Sequence, residues 1–168
     1  MSAITQRRIT LIRHAKALED DGAGDHARHL SPRGLTDAAA LAQWLSTNAL
    51  RPQTIFCSTA TRTRETLAAL ALGNIPTVLS DRIYLATPGE LLALLQDADD
   101  AVTDLALIGH NPGMHALLAL LVGSYADEAD ADRMILKFPT SACAVMTADV
   151  AHWRDLAPHS MRLERLRY

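Results

Sequence analysis

The sequence has few of the features that would mark a crosslinked, membrane-spanning or nucleic-acid-binding protein. Two cysteines, Cys57 and Cys143, in 168 residues are too few for a disulfide scaffold or a cysteine-rich zinc module. The longest purely apolar run, Ala116–Val122, falls far short of the roughly 20 residues that a membrane span needs. Met1–Arg8 is polar and then basic, without the apolar stretch of a signal peptide. There is no basic excess: 16 Lys+Arg face 19 Asp+Glu, for a formal charge of −3, which argues against a general nucleic-acid binder. No P-loop, GxGxxG or metal-ligand cluster occurs. Aromatics are only 4%, so Leu and Ala must supply the core, as they do where helices pack on a sheet. The expectation is a soluble, cytoplasmic protein that meets neither nucleic acid nor membrane.

What is present is ordinary for a globular chain, with 49% apolar and 21% charged residues and a length that suits one domain of about 100–200 residues. Short β-type runs alternate with longer helical ones, which predicts an α/β layer fold. Strands are expected at Arg8–Ile12, Thr54–Cys57, Thr77–Leu79, Leu105–Gly109 and Ala142–Ala148, with Met161–Leu166 as a last, edge strand. Leu105–Gly109 is continuously apolar and so belongs in the middle of the sheet. Helices are expected from Thr36, as cap, to Thr47, from Ala60 to Leu72, from Thr87 to Gln96 with Pro88 at the first helical position, and from Asn111-Pro112 onward. Glu19–His29 is a polar loop holding Asp20, Asp21 and Asp25.

Three polar signatures each follow a strand: Arg13-His14, Ser58 through Arg62, and His110-Asn111. Ligands bind at the carboxyl ends of strands in open α/β sheets, so segments far apart in sequence deliver two His and two Arg to one rim. Guanidiniums present forked donors that match phosphate oxygens. The helix starts after Ser58 and His110 would aim backbone N–H groups at an anion. An imidazole among cations has a lowered pKa, stays neutral near pH 7, and can attack phosphorus to form a covalent intermediate.

These residues carry a family resemblance. Leu11-Ile12-Arg13-His14-Ala15-Lys16 resembles the signature of the histidine phosphatase (phosphoglycerate mutase-like) superfamily. Ala15 replaces the usual glycine, as in its small SixA-type phosphohistidine phosphatase branch. Leu30–Thr36 resembles the stretch before the first helix, Ser58–Thr66 the second motif, and Ile108–Gly113 the third. The resemblance implies a single domain over residues 1–168, of three-layer α/β/α architecture with a mostly parallel central sheet and no large cap insertions. It also implies that His14 is the nucleophile, that Arg13, Arg62 and His110 clamp the phosphoryl group, and that no metal or cofactor takes part.

Other residues are read against plainer roles. Ser58 and Asn111 are candidate phosphate contacts, although each also fits a helix cap. Arg64 and Glu65 fit a salt bridge on one helix face. His26 and His29 fit exposed loop positions, and Cys57 fits a buried, inert thiol. His110 and His115, five residues apart, do not share a helix face and so make no zinc pair.

Glu90 is a candidate general acid, but Thr87-x-x-Glu90 is also a capping-box pattern, which is the favoured reading. Asp20, Asp21 and Asp25 are alternatives. A site without a strong acid suits a phosphoramidate substrate, because an imidazole nitrogen leaves with less proton donation than an alkoxide. Three functions follow in order: hydrolysis of phosphohistidine on a protein partner, hydrolysis of a small phosphomonoester metabolite, and non-catalytic binding of phosphate or phosphohistidine.

Overall fold

A strand that is apolar at successive positions must be covered on both faces. The computed structural model, which describes residues 4–168, shows this at β4 (Asp104–Gly109), where every residue is buried. The elements are β1 (Thr5–Arg13), α1 (Pro32–Thr47), β2 (Thr54–Ser58), α2 (Thr61–Leu70), β3 (Thr77–Ser80), α3 (Pro88–Gln96), β4, α4 (Gly113–Leu121), β5 (Val122–Tyr125), α5 (Ala129–Leu136), β6 (Cys143–Val150) and β7 (Met161–Arg167). The strands form one sheet in the order β3-β2-β4-β1-β6-β7-β5. The β2–β3, β2–β4, β1–β4 and β5–β7 pairs are parallel, whereas β6 runs antiparallel to β1 and β7. The mostly parallel α/β/α architecture is therefore as expected.

Successive side chains of a strand point to opposite faces, and β4 divides its own between two cores. Leu105 and Leu107 pack with Leu91 and Leu95 of α3 and Leu117 and Leu118 of α4. Ala106 and Ile108 pack with Leu41 and Leu45 of α1 and Leu70 of α2. Burying a Leu or Ile side chain is worth roughly 1.5–3 kcal/mol, so the two layers hold the sheet as a rigid platform.

The structure departs from the sequence reading in several places. Helix α1 starts at Pro32 with Ser31 as its cap, the Ser31 hydroxyl accepting from the Gly34 N–H at 3.0 Å. Thr36 lies inside the helix, where its hydroxyl donates to the Pro32 carbonyl at 3.2 Å, the back-bonding open to a mid-helix Thr. The sheet edge beyond β6 is β5, so β7 is an interior strand. β5 starts at Val122, the last residue of the run expected to be helical, and α5 lies in a stretch rich in Asp and Ala for which no element is expected from the sequence. Part of the Met1–Arg8 reading, residues 1–3, lies outside the described residues. Among the described residues no helix is long and apolar enough to cross a membrane.

Gly34 lets α1 approach the backbone of Lys16, the last residue of the first motif. A Cβ there would collide with the backbone carbonyl of Lys16. Gly34→Ala is expected to lower stability by about 1–3 kcal/mol, read as a fall in the urea midpoint at constant m. An unchanged midpoint would refute the close approach.

Candidate active site

Parallel pairing of three strands decides where the polar residues meet. Arg13 lies beside Gly109, and Cys57 beside Ile108, in the β1–β4 and β2–β4 registers. His14, Ser58 and His110 therefore reach the same carboxyl edge of the sheet. Antiparallel β6 brings its incoming loop to that edge as well. The Arg13 N–H donates to the Ala142 carbonyl at 3.0 Å, and the Ser141 N–H to the His14 carbonyl at 3.2 Å. Arg13 Nη1 and Asn111 Nδ2 share one acceptor, the Phe138 carbonyl, at 3.0 and 2.8 Å. Asn111 is thus not a helix cap: α4 begins without a side-chain cap, and the Asn111 amide holds the loop that also fixes Arg13.

The resulting cleft has a volume of about 330 Å³ and is lined by Arg13, His14, Lys16, Asp25, Arg28, Arg62, His110 and Asn111, with Ala17, Leu85 and Thr140 at its margin. Four cations and a single carboxylate among these residues make it an anion site in a chain of net charge −3. Sequence reasoning brought together Arg13, His14, Arg62 and His110. It did not mark Lys16, Arg28 or Thr140, nor Tyr84, whose hydroxyl reaches the Asp25 carboxylate at 2.6 Å. Lys16 lay within the first motif, and Asp25 and Arg28 form an i,i+3 pair. Those were the signals available.

The His14 ring is held in one neutral form. Its Nδ1 lies 2.7 Å from the Ala15 carbonyl, which can only accept, so Nδ1 carries the hydrogen and Nε2 the lone pair. Burial pushes its pKa down to about 4. The Ala15 bond opposes that shift, and Arg62, Arg13 and Arg28 reinforce it. The expected direction is right, but burial is a larger cause than the cations.

His110 is 3% exposed, and its pKa is pushed to about 3, first by burial and then by His14 and Arg62. The two rings lie 5.1 Å apart, centroid to centroid. His110 Nε2 is 2.8 Å from Ser58 Oγ. Ser58 is fully buried, and its oxygen accepts from the Ala60 N–H at 3.4 Å. The hydroxyl hydrogen then has one acceptor, His110 Nε2. The neutral ring therefore keeps its hydrogen on Nδ1, a buried atom with no partner in the protein. Ser58 does not line the cleft. It stands behind His110 and selects its tautomer.

Glu90 does not belong to the site. It closes a capping box, its carboxylate accepting from the Thr87 N–H and hydroxyl, each at 2.8 Å, on an exposed helix start. Those bonds lower its pKa, and a proton donor needs the reverse. Asp20 and Asp21 accept from backbone amides of their own loop. Asp25 is the one loop carboxylate in the cleft. Tyr84, Arg28 and Arg62 hold it well below the usual carboxylate range.

Glu65 does not pair with Arg64. It binds His29 Nδ1 at 2.6 Å and the Leu30 N–H at 2.7 Å, tying the loop to α2. His26 is an exposed loop residue bonded to Thr59 at 3.0 Å. His115 bonds the Met134 carbonyl at 2.6 Å. Cys57 is fully buried, and burial pushes its thiol up to about 12, which makes it inert. Among the described residues no group of three or more His, Cys, Asp or Glu could hold a metal ion.

The chain has counterparts among known proteins. The sequence profile of the histidine phosphatase superfamily (branch 1) matches residues 9–84. An uncharacterised protein of Mycobacterium tuberculosis is 40% identical over 148 residues, covering 88% of this chain and 92% of that protein. The structure of a protein described as a candidate phosphohistidine phosphatase SixA from Agrobacterium tumefaciens superposes with a TM-score of 0.81 at 30% identity, covering 96% of this chain and 97% of that one. Its namesake from Nakamurella multipartitia gives a TM-score of 0.85 at 28% identity, covering 100% and 98%.

The buried histidines make stability depend on pH. Between the ordinary value of 6.5 and the folded values of about 4 and 3, the unfolded chain binds protons that the folded protein refuses. Stability should therefore fall as pH is lowered from 6.5 toward 4. Carbon- and nitrogen-shift titrations should find both rings neutral and protonated on Nδ1 at pH 5.5. Ser58→Ala should shift His110 toward the Nε2–H form. Ordinary titration of either ring near pH 6.5 would contradict the site described.

Proposed function

The chain belongs to the histidine phosphatase superfamily, and on that premise we propose that it hydrolyses phosphohistidine on a partner protein through a covalent phospho-intermediate at His14. The observation that carries this reading is the neutral His14, with Nδ1 bound to the Ala15 carbonyl and Nε2 left free, in a cleft walled by Arg13, Arg62 and His110. The Nε2 lone pair attacks phosphorus as the bond from phosphorus to the substrate imidazole breaks. The substrate ring, already protonated on its other nitrogen, leaves as neutral imidazole. Charge on the equatorial oxygens is met by the two guanidiniums and by the Nδ1–H of His110, positioned before the reaction begins. Water then attacks phospho-His14, and orthophosphate leaves. Throughout, the Nδ1–H of His14 stays on its carbonyl, so the ring does not rotate between the two half-reactions. No metal or cofactor enters the scheme.

The leaving group follows from what the cleft lacks in ionisation state. Asp25, the one carboxylate lining it, is held ionised by Tyr84, Arg28 and Arg62, and Glu90 is engaged elsewhere. A phosphoramidate nitrogen departs without the strong acid that an alkoxide requires. The rim points the same way. The exposed Leu85 stands at the margin of the cleft, an apolar contact that suits a phosphorylated side chain on another protein. A small phosphomonoester is the second reading, favoured by the cation lining alone. A pure binding role leaves the free Nε2 without a purpose.

The test is a phosphohistidine protein labelled with radioactive phosphate, mixed with enzyme and quenched in alkali. Wild type should show acid-labile label on His14 and release phosphate. His14→Ala should do neither, with the rate falling at least about a thousandfold. Ser58→Ala should still form the adduct but turn over about tenfold more slowly, the usual cost of losing one orienting hydrogen bond. Faster turnover of alkyl phosphomonoesters than of phosphohistidine would favour the second reading.

A further inference from the structure

The guanidinium of Arg62, proposed above as a phosphoryl ligand, is already paired within the protein. Arg62 is a nearly buried cation, its side chain 4% exposed. Both terminal nitrogens of its guanidinium are spent on one loop residue: Nη1 donates to the Asp25 carbonyl and Nη2 to Asp25 Oδ2 at 2.9 Å. The same carboxylate accepts from Arg28 Nη1 at 2.9 Å and from the Tyr84 hydroxyl at 2.6 Å. Tyr84 in turn sets its ring edge-on to His110, with centroids 5.4 Å apart. A carboxylate held by two guanidiniums and a phenol beside the paired imidazoles is bound as a phosphate would be.

We infer that Asp25 is the site's own competing anion, seated on Arg62 when the cleft is empty and displaced by the phosphoryl group of the substrate. The inference rests on the proposed role of Arg62 as a phosphoryl ligand. Two anions cannot share that fork: an ionised carboxylate beside a phosphoryl dianion is repelled at low effective dielectric. Nor can Arg62 be left bare, because a buried unpaired cation is costly. One anion must replace the other.

The loop is built for such an exchange. Its base is fixed by the Ala17–Leu30 bridge, by the Leu18 N–H on the His29 carbonyl at 2.9 Å, and by Glu65 on Leu30. Its tip carries Gly22 and Gly24 at φ of 99° and 95°, with nothing packed where a Cβ would sit. The Asp25 side chain is already 45% exposed, so water meets the carboxylate as it leaves the fork. For the reaction the consequence is product release. Phosphate cut from His14 meets a tethered carboxylate competing for the same guanidinium, and free phosphate in solution meets a closed fork.

The experiment measures binding of orthophosphate to the whole protein by calorimetry at low salt, with tungstate as a second oxyanion. A ligand's apparent affinity falls by the fraction of the site that is open to it. Removing the competitor should therefore tighten orthophosphate about tenfold or more in Asp25→Ala, and less in Asp25→Asn and Tyr84→Phe. Product inhibition by phosphate should strengthen in parallel. Adding Arg62→Ala to Asp25→Ala should abolish the gain. Should Asp25→Ala fail to match wild type in a melting curve, Asp25→Asn takes its place, since the amide keeps the shape without the charge. Unchanged or weaker oxyanion affinity in the loop variants would overturn the inference, as would a gain that survives the loss of Arg62. Oxyanion binding is read without turnover, so a protein that ignores phosphohistidine but gains phosphate affinity would defeat the proposed substrate and leave the competing anion standing.

Discussion

A buried guanidinium has to be paired, and much of this molecule is arranged around that requirement at Arg62. The residue sits in the first turn of α2, behind the β2 strand end, with 3% of its surface exposed. Its charge cannot be neutralised by deprotonation, because an Arg side chain keeps its proton at any accessible pH. An anion must therefore stand on it in every state of the protein. The polar loop supplies one in Asp25, and Tyr84, Arg28 and the Glu65 anchor at the loop base hold that loop in place. The sheet register then decides what else surrounds the anion: two imidazoles and Arg13, from strands that end side by side.

Much of this was legible in the sequence because the informative signals were local. A continuous apolar strand such as Leu105–Gly109, a Pro at a helix start such as Pro88, and polar residues directly after strands each follow from a few neighbouring residues. The convergence of Arg13, His14, Arg62 and His110 needed only the rule that parallel strands present their carboxyl ends together. What escaped depends on contacts distant in sequence. Tyr84 follows a 3-10 turn and reads as an ordinary half-buried aromatic until it is found on Asp25, a residue 59 positions away. Thr140 enters the cleft only because β6 runs antiparallel to β1, which no pattern in Ala142–Ala148 announces.

Ser58 and Asn111 do reach the edge of the sheet where the sequence put them, but the partners that hold them there were not legible, for one shared reason. A polar residue at a strand end or helix start has several partners within reach, and sequence does not choose among them. Ser58 could cap α2, touch an anion or face a neighbour, and full burial leaves only the neighbour, His110. Asn111 could cap α4, but its amide spans to the Phe138 carbonyl and shares that acceptor with Arg13. Glu90 shows the opposite case. Its capping box is complete within four residues, and the local pattern decided its fate.

The cause of the histidine shifts bears on how the site tolerates a change of anion. Had the surrounding cations been the main reason that His14 stays neutral, the arrival of a phosphoryl dianion would cancel their effect and draw a proton onto Nε2 at the moment of attack. Burial is instead the largest cause at both His14 and His110, with Arg62 a lesser one at each. Desolvation does not change sign when one anion replaces another. The Ala15 carbonyl and the Ser58 hydroxyl likewise hold the two tautomers through neutral hydrogen bonds that take no part in the exchange. Charge in this cleft can therefore serve to bind and release anions, while packing and neutral hydrogen bonds keep Nε2 of His14 unprotonated and Nδ1 of His110 a donor.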